Sequence, residues 1–163
     1  MRILGIVFLF IILTLPAEAE VIQGGVRYSI NSAREELLNT PEISVPDSLM
    51  QSNLFDIKTE IKDRSLAKFS DGSYAVIYKD NPKFAWYYSQ NGILTHVQVK
   101  TSETYPYKSY KYTPDNQLVN MSLRVSKEET FIYTPSGKFI AHWLYQNCYD
   151  ENNNIIMTRQ IYE

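Results

Sequence analysis

His96, His142 and Cys148 are the side chains of this sequence best suited to proton transfer, metal ligation or nucleophilic attack. Counted from the nearest preceding tyrosine of the repeat described below, the histidines stand at plus eight and plus nine. Side chains alternate along a strand, so these two point to opposite faces and do not share a metal or a proton. They read as two partly exposed strand histidines. A serine nucleophile would need an orienting base, and no Gly-x-Ser-x-Gly elbow is present. Glu128 and Glu129 are adjacent; neighbours on an extended chain point apart, which predicts a solvated hairpin tip and not a general acid and base. Asp150-Glu-Asn-Asn-Asn154 is rich enough in oxygen for calcium but lacks the glycine and distal glutamate of an EF-hand loop. With one cysteine there is no internal disulfide and no thiolate-ligated cluster, and the thiol reads as a small buried residue. Asn120-Met-Ser122 fits a glycosylation triplet, which matters only in a eukaryotic secretory pathway. No catalytic residue, metal site or cofactor is read from the sequence.

The aromatic residues are the remaining chemical signal. The chain holds 13 Tyr, 7 Phe and 2 Trp, and Tyr105-Pro-Tyr-Lys-Ser-Tyr-Lys-Tyr112 alternates rings with lysine. One reading is cross-strand pairing, each pair adding about 0.2–1 kcal/mol to a sheet without disulfides. The other is an exposed platform that stacks sugar rings or a peptide, with Trp86, Tyr88, Tyr110, Tyr112 and Trp143 as the candidate binding face.

The elements that must position these groups are visible as a repeat. With each tyrosine at zero, Tyr88, Tyr112, Tyr133 and Tyr149 are followed by Gly92, Asn116, Gly137 and Asn153 at plus four. Leu94, Leu118, Phe139 and Ile155 follow at plus six. Glycine and, next, asparagine are the residues that accept positive φ, so plus four is a left-handed turn position. Pro114 and Pro135 supply the fixed φ of a type I turn. A weaker fifth copy starts at Phe69 and reads one residue shorter in its turn. The unequal spacing of the anchors predicts an irregular antiparallel meander of about eight or nine strands over residues 65–163, forming a curved sheet, a half-open barrel or two packed sheets.

The preceding chain differs. Met1-Arg2, the apolar run Ile3–Leu15 and Ala17-Glu-Ala19 have the layout of a cleavable signal peptide, residues 1–19. Thirteen residues cover about 20 Å as a helix, short of a roughly 30 Å hydrocarbon core, so no membrane anchor is expected after cleavage. Residues 20–64 read as a short helix and an extended connector: Ser32-Ala-Arg-Glu35 has capping-box spacing for a helix from Ser32 to Asn39. Leu54–Ile61 alternates like a half-buried strand. A net charge of −2 gives no electrostatic case for nucleic acid or an anionic membrane as partner.

Tyr149-Asp-Glu-Asn-Asn153-Asn-Ile155 resembles the tyrosine-aspartate (YD, Rhs-type) repeat, and Trp86-Tyr-Tyr-Ser-Gln-Asn-Gly92-Ile-Leu94 looks like the hairpins of the variant MORN family. The likeness covers residues 69–163 and rests on the tyrosine, the turn residue and the next apolar residue. Asp follows the tyrosine once, at Asp150; Ser89, Thr113 and Thr134 stand there in the other copies. The resemblance implies linked hairpins and a binding or envelope-interaction role, with no catalytic residue to transfer. The expected function is an exported, non-enzymatic binding module with a protein or envelope polysaccharide as partner. A small envelope-polymer hydrolase using His96 or His142, and a partner that adds a strand to another sheet, are the alternatives.

Overall fold

The computed structural model describes residues 21–23, 26–39, 43, 45–47 and 63–162, and side chains from Tyr28 onward. The signal segment expected over residues 1–19 and the strand expected over Leu54–Ile61 lie outside them. A two-stranded ribbon, β1 (Val21–Gln23) and β2 (Val26–Tyr28), leads into helix α1 (Ile30–Leu38). The helix begins before Ser32 because Ser29 caps it: Ser29 Oγ accepts from the Ser32 amide, and Ser32 Oγ accepts from the Ser29 amide at 2.8 Å. Ser32 therefore fills the returning position of the box, the place that the sequence assigned to Glu35.

Ten strands follow: β3 (Arg64–Phe69), β4 (Tyr74–Tyr78), β5 (Phe84–Tyr88), β6 (Leu94–Lys100), β7 (Tyr107–Tyr112), β8 (Leu118–Arg124), β9 (Glu129–Tyr133), β10 (Phe139–Leu144), β11 (Asn147–Tyr149) and β12 (Ile155–Tyr162). Each pairs antiparallel with its neighbours in sequence, and β12 pairs with β3, Arg159 opposite Phe69 and Tyr162 opposite Leu66. The sheet is thus a closed barrel, not the open sheet or half-open barrel expected from the repeat. Local turn chemistry specifies hairpins, but closure depends on accumulated twist and stagger around the whole ring.

The repeat maps onto the barrel as five hairpins. Gly72, Gly92, Asn116, Gly137 and Asn153 all have positive φ, between 61° and 84°. In four copies the anchor tyrosine pairs with plus six while the residue before it pairs with plus eight, leaving Thr95, Val119, Ile140 and Ile156 unpaired as bulges at plus seven. The first copy is not short in the turn. Its anchor is Lys68, which pairs with Tyr74, and Ala67 pairs with Ala75, so that copy lacks the bulge instead.

The two faces of these strands differ. Anchor-side residues point outward, where Tyr88, Val97, Val99, Tyr110, Tyr112, Leu123, Phe131 and Tyr133 join Ala33 and Leu37 of α1 and Val45 in one buried cluster. Tyr133 donates its hydroxyl to Ile30 O and Tyr112 to Ile43 O, both at 2.6 Å, tying the N-terminal segment to the barrel. The inward face is shown by rings that meet across the ring of strands: Phe69 of β3 and Trp143 of β10 have centroids 5.9 Å apart although two strands separate them.

Candidate functional site

The inward face encloses a cavity of about 580 Å³, within the roughly 300–1,000 Å³ range of small-molecule sites. Its wall is built in layers by the repeat. The residue before each anchor and its partner at plus eight form the layer nearest the hairpin turns, which contains Tyr87, His96, Lys111, Asn120, Ile132, Cys148 and Met157. Two residues further along each strand come Gln98, Ser109, Ser122, Thr130, Trp143 and Arg159, and beyond them Tyr107 and Arg124. The mouth opens at the hairpin end, because the lining continues through the turn residues Asp71, Ser73, Ser89 and Gln90.

A chain of hydrogen bonds holds the polar wall open. Tyr87 OH donates to Gln98 Oε1 at 2.7 Å, Gln98 Nε2 donates to Ser109 Oγ at 2.6 Å, and Ser109 Oγ meets Ser122 Oγ at 2.7 Å. These bonds run around the barrel from β5 to β8 and satisfy groups that would otherwise be costly to bury. Arg124 is fixed at the far end, donating from Nε to Ser126 O, from Nη2 to Lys127 O and from Nη1 to Tyr107 OH.

Charge in the lumen is one-sided. Among the described residues, Lys111, Arg124 and Arg159 line it against a single carboxylate, Asp71, which sits at the mouth and accepts from Ser73 N and Oγ. Lys111 Nζ lies 3.6 Å from the centroid of the Tyr87 ring and its pKa is pushed down to about 8 by burial, with Cys148 opposing the shift. Arg159 stacks 4.5 Å over Trp143, donates from Nη2 to Tyr145 O, and keeps Nε buried without a hydrogen-bond partner. Burial pushes the Tyr87 hydroxyl up to about 12 and the Cys148 thiol to about 11, so both are neutral at ordinary pH.

The histidines lie on opposite faces, as their spacing predicts. His96 faces the lumen, its Nδ1 3.1 Å from Thr95 Oγ1, and burial followed by the Lys111 charge lowers its pKa. His142 is buried on the outer face, stacked on Phe131, with Nε2 against Glu129 Oε1. Glu129 is 0 % exposed, contrary to the solvated tip read from its position beside Glu128, because its carboxylate is turned onto His142. Cys148 is buried, as expected, and faces the lumen.

The five aromatic candidates do not share a surface. Tyr110 and Tyr112 are 1 % and 2 % exposed, and Tyr88 is buried beside them. Half-buried Trp86 sits at the margin of that cluster, edge-on to Tyr78. Of the five, Trp143 and Tyr88 line the cavity, and Tyr88 belongs also to the outer cluster. The lumen residues Tyr87, Lys111 and Cys148 each immediately precede an anchor tyrosine, and strand alternation from the anchor locates them once the barrel is known to close. No family model, no curated protein and no solved structure matches this chain.

Proposed function

We propose that this chain is an exported, non-enzymatic binding module whose ligand site is the barrel lumen. The observation that carries the reading is the cavity itself: drug-sized, open at the hairpin end, and lined by rings together with convergent polar groups. Export follows from the signal-like residues 1–19, and the YD-like hairpins serve as the scaffold.

The alternatives have less support. Among the described residues, the carboxylate that lines the cavity with His96 is Asp71, and it is engaged by Ser73. The pair of His142 and Glu129 is buried away from the cavity. Strand addition needs an open edge; every barrel strand is paired on both sides, which leaves the edges of the short ribbon β1–β2.

The test is to isolate the chain undenatured from its own source and identify any small molecule it carries by native mass spectrometry. Ser122→Trp and Met157→Trp each place bulk in the lumen. Both variants should lose the molecule while circular dichroism shows an intact barrel; if both folded variants retain it, the lumen is not the site.

A further inference from the structure

We propose that the lumen selects a singly charged organic anion with an apolar body, its charge held by Lys111 and Arg159 and its body lying against Phe69 and Trp143. This assignment rests on the lumen being the ligand site and names what enters it.

The first support is the imbalance of charge. An unpaired buried cation loses hydration without regaining it from the protein, and such groups are ordinarily paired. Here, among the described residues, three cations line one cavity and one carboxylate stands at its mouth, already accepting two hydrogen bonds. The second is that two of the three cations have capacity to spare. Arg124 is consumed by two carbonyls and a phenol, which makes it part of the wall. Arg159, by contrast, has a buried Nε with no partner, and Lys111 points its ammonium at a ring face. A cation and a ring attract one another only modestly compared with a charge-assisted hydrogen bond to an anion. The third support is apolar area beside the charge. Phe69 lies against both Tyr87 and Trp143, and Ile140 and Ile156, bulge residues of the repeat, continue the apolar surface to the mouth. A neutral sugar would satisfy the rings and the amides but leave both cations unpaired, so the charge decides between the two ligand classes.

Lys111 faces Tyr87 of β5, His96 of β6 and Cys148 of β11, and shares the lumen with Arg124 of β8 and Arg159 of β12. Tyr87 and Cys148 stay neutral through pH 8, and His96 is driven toward its neutral form. Proton loss from Lys111 is therefore the change that reaches an anion in the lumen as pH rises past about 8.

The experiment is titration calorimetry at pH 7 with three probes of one shape: 2-naphthoate, 2-naphthylmethanol and 2-naphthylmethylammonium. The carboxylate is expected to bind about tenfold or more tighter than the alcohol, and the ammonium not to bind measurably. Lys111→Met and Arg159→Met, each checked for an intact barrel by circular dichroism, should each reduce the preference for the anion by about tenfold, and Lys111→Arg should keep it. The preference should also decline above pH 8 in the parent chain and stay level in Lys111→Met. Equal affinity for carboxylate and alcohol, or an unchanged preference in both Met variants, would overturn the anion assignment and leave the lumen as a site. Failure of all three probes to bind would overturn both.

Discussion

The outer and inner faces of the same ten strands solve opposite problems. Outside, Val97, Tyr110, Leu123, Phe131 and Tyr133 are closely packed with α1 and Val45, and the hydroxyls of Tyr112 and Tyr133 are used to hold the N-terminal segment down. Inside, Gln98, Ser109, Ser122, Lys111 and Arg159 surround a cavity. Dense packing lies in the outer layer and enclosed space in the inner one. A face that lines a cavity is not filled to the density of a core.

The comparison can be broken most forcefully at Phe131. Phe131→Ala empties a fully buried outer site and is expected to cost about 3–5 kcal/mol, measured by urea unfolding. On the adjacent residue of the same strand, Ile132→Ala trims the cavity wall and should cost less than half as much. Equal losses would mean that both faces are core.

Lys111→Met should have the opposite sign. The folded pKa of about 8 lies below the ordinary 10.5, so the native state disfavours the charged form. That penalty is present in full below pH 8 and disappears as pH rises to about 10.5, where the unfolded chain also loses the proton. The variant is therefore expected to be more stable by roughly 1–3 kcal/mol at pH 7, with the gain vanishing by about pH 10.5. A constant difference between pH 7 and pH 11 would contradict the burial of the ammonium.

Smaller effects are expected at the turns that link the two faces. Gly137 has φ +83°, and a Cβ there would stand 3.2 Å from Leu38 Cδ1 of α1. Gly137→Ala should cost about 1–2 kcal/mol from the left-handed backbone, whereas Asn116→Gly, at φ 63°, should change stability by a few tenths at most. Thermal unfolding of the two variants distinguishes them.

The smallest change is kinetic. Cys148 faces the lumen but its thiol is raised to about 11 by burial, so iodoacetamide at pH 7 should modify it far more slowly than a free cysteine. A rate matching free cysteine would mean that the lumen wall opens readily.

Much of this was legible from residue order. The positive-φ turns at Gly92, Asn116, Gly137 and Asn153 followed from residue type alone, because few side chains tolerate that conformation. The opposite placement of His96 and His142 followed from strand alternation. Glu129 misled because its burial depends on His142, a partner 13 residues away that arrives only when β9 pairs with β10. The first hairpin was misaligned by one because Lys68 stands where the other copies carry a tyrosine, and aromatic identity alone moved the anchor to Phe69. Residue type groups the aromatic candidates, yet the bulges and alternation send Trp143 inward and Tyr110 and Tyr112 outward, with Tyr88 in the outer cluster and at the cavity margin.

By itself the sequence determined the hairpins, their turns, their order and the division of each strand into two kinds of face, because these depend on φ preferences and on a period of two. Tertiary structure alone decided that β12 meets β3, and hence which face became a lumen and which a covered core. Both faces carry rings and polar groups, so composition does not mark the inner one. Closure does, since it depends on twist and stagger summed over ten strands and is absent from any one of them.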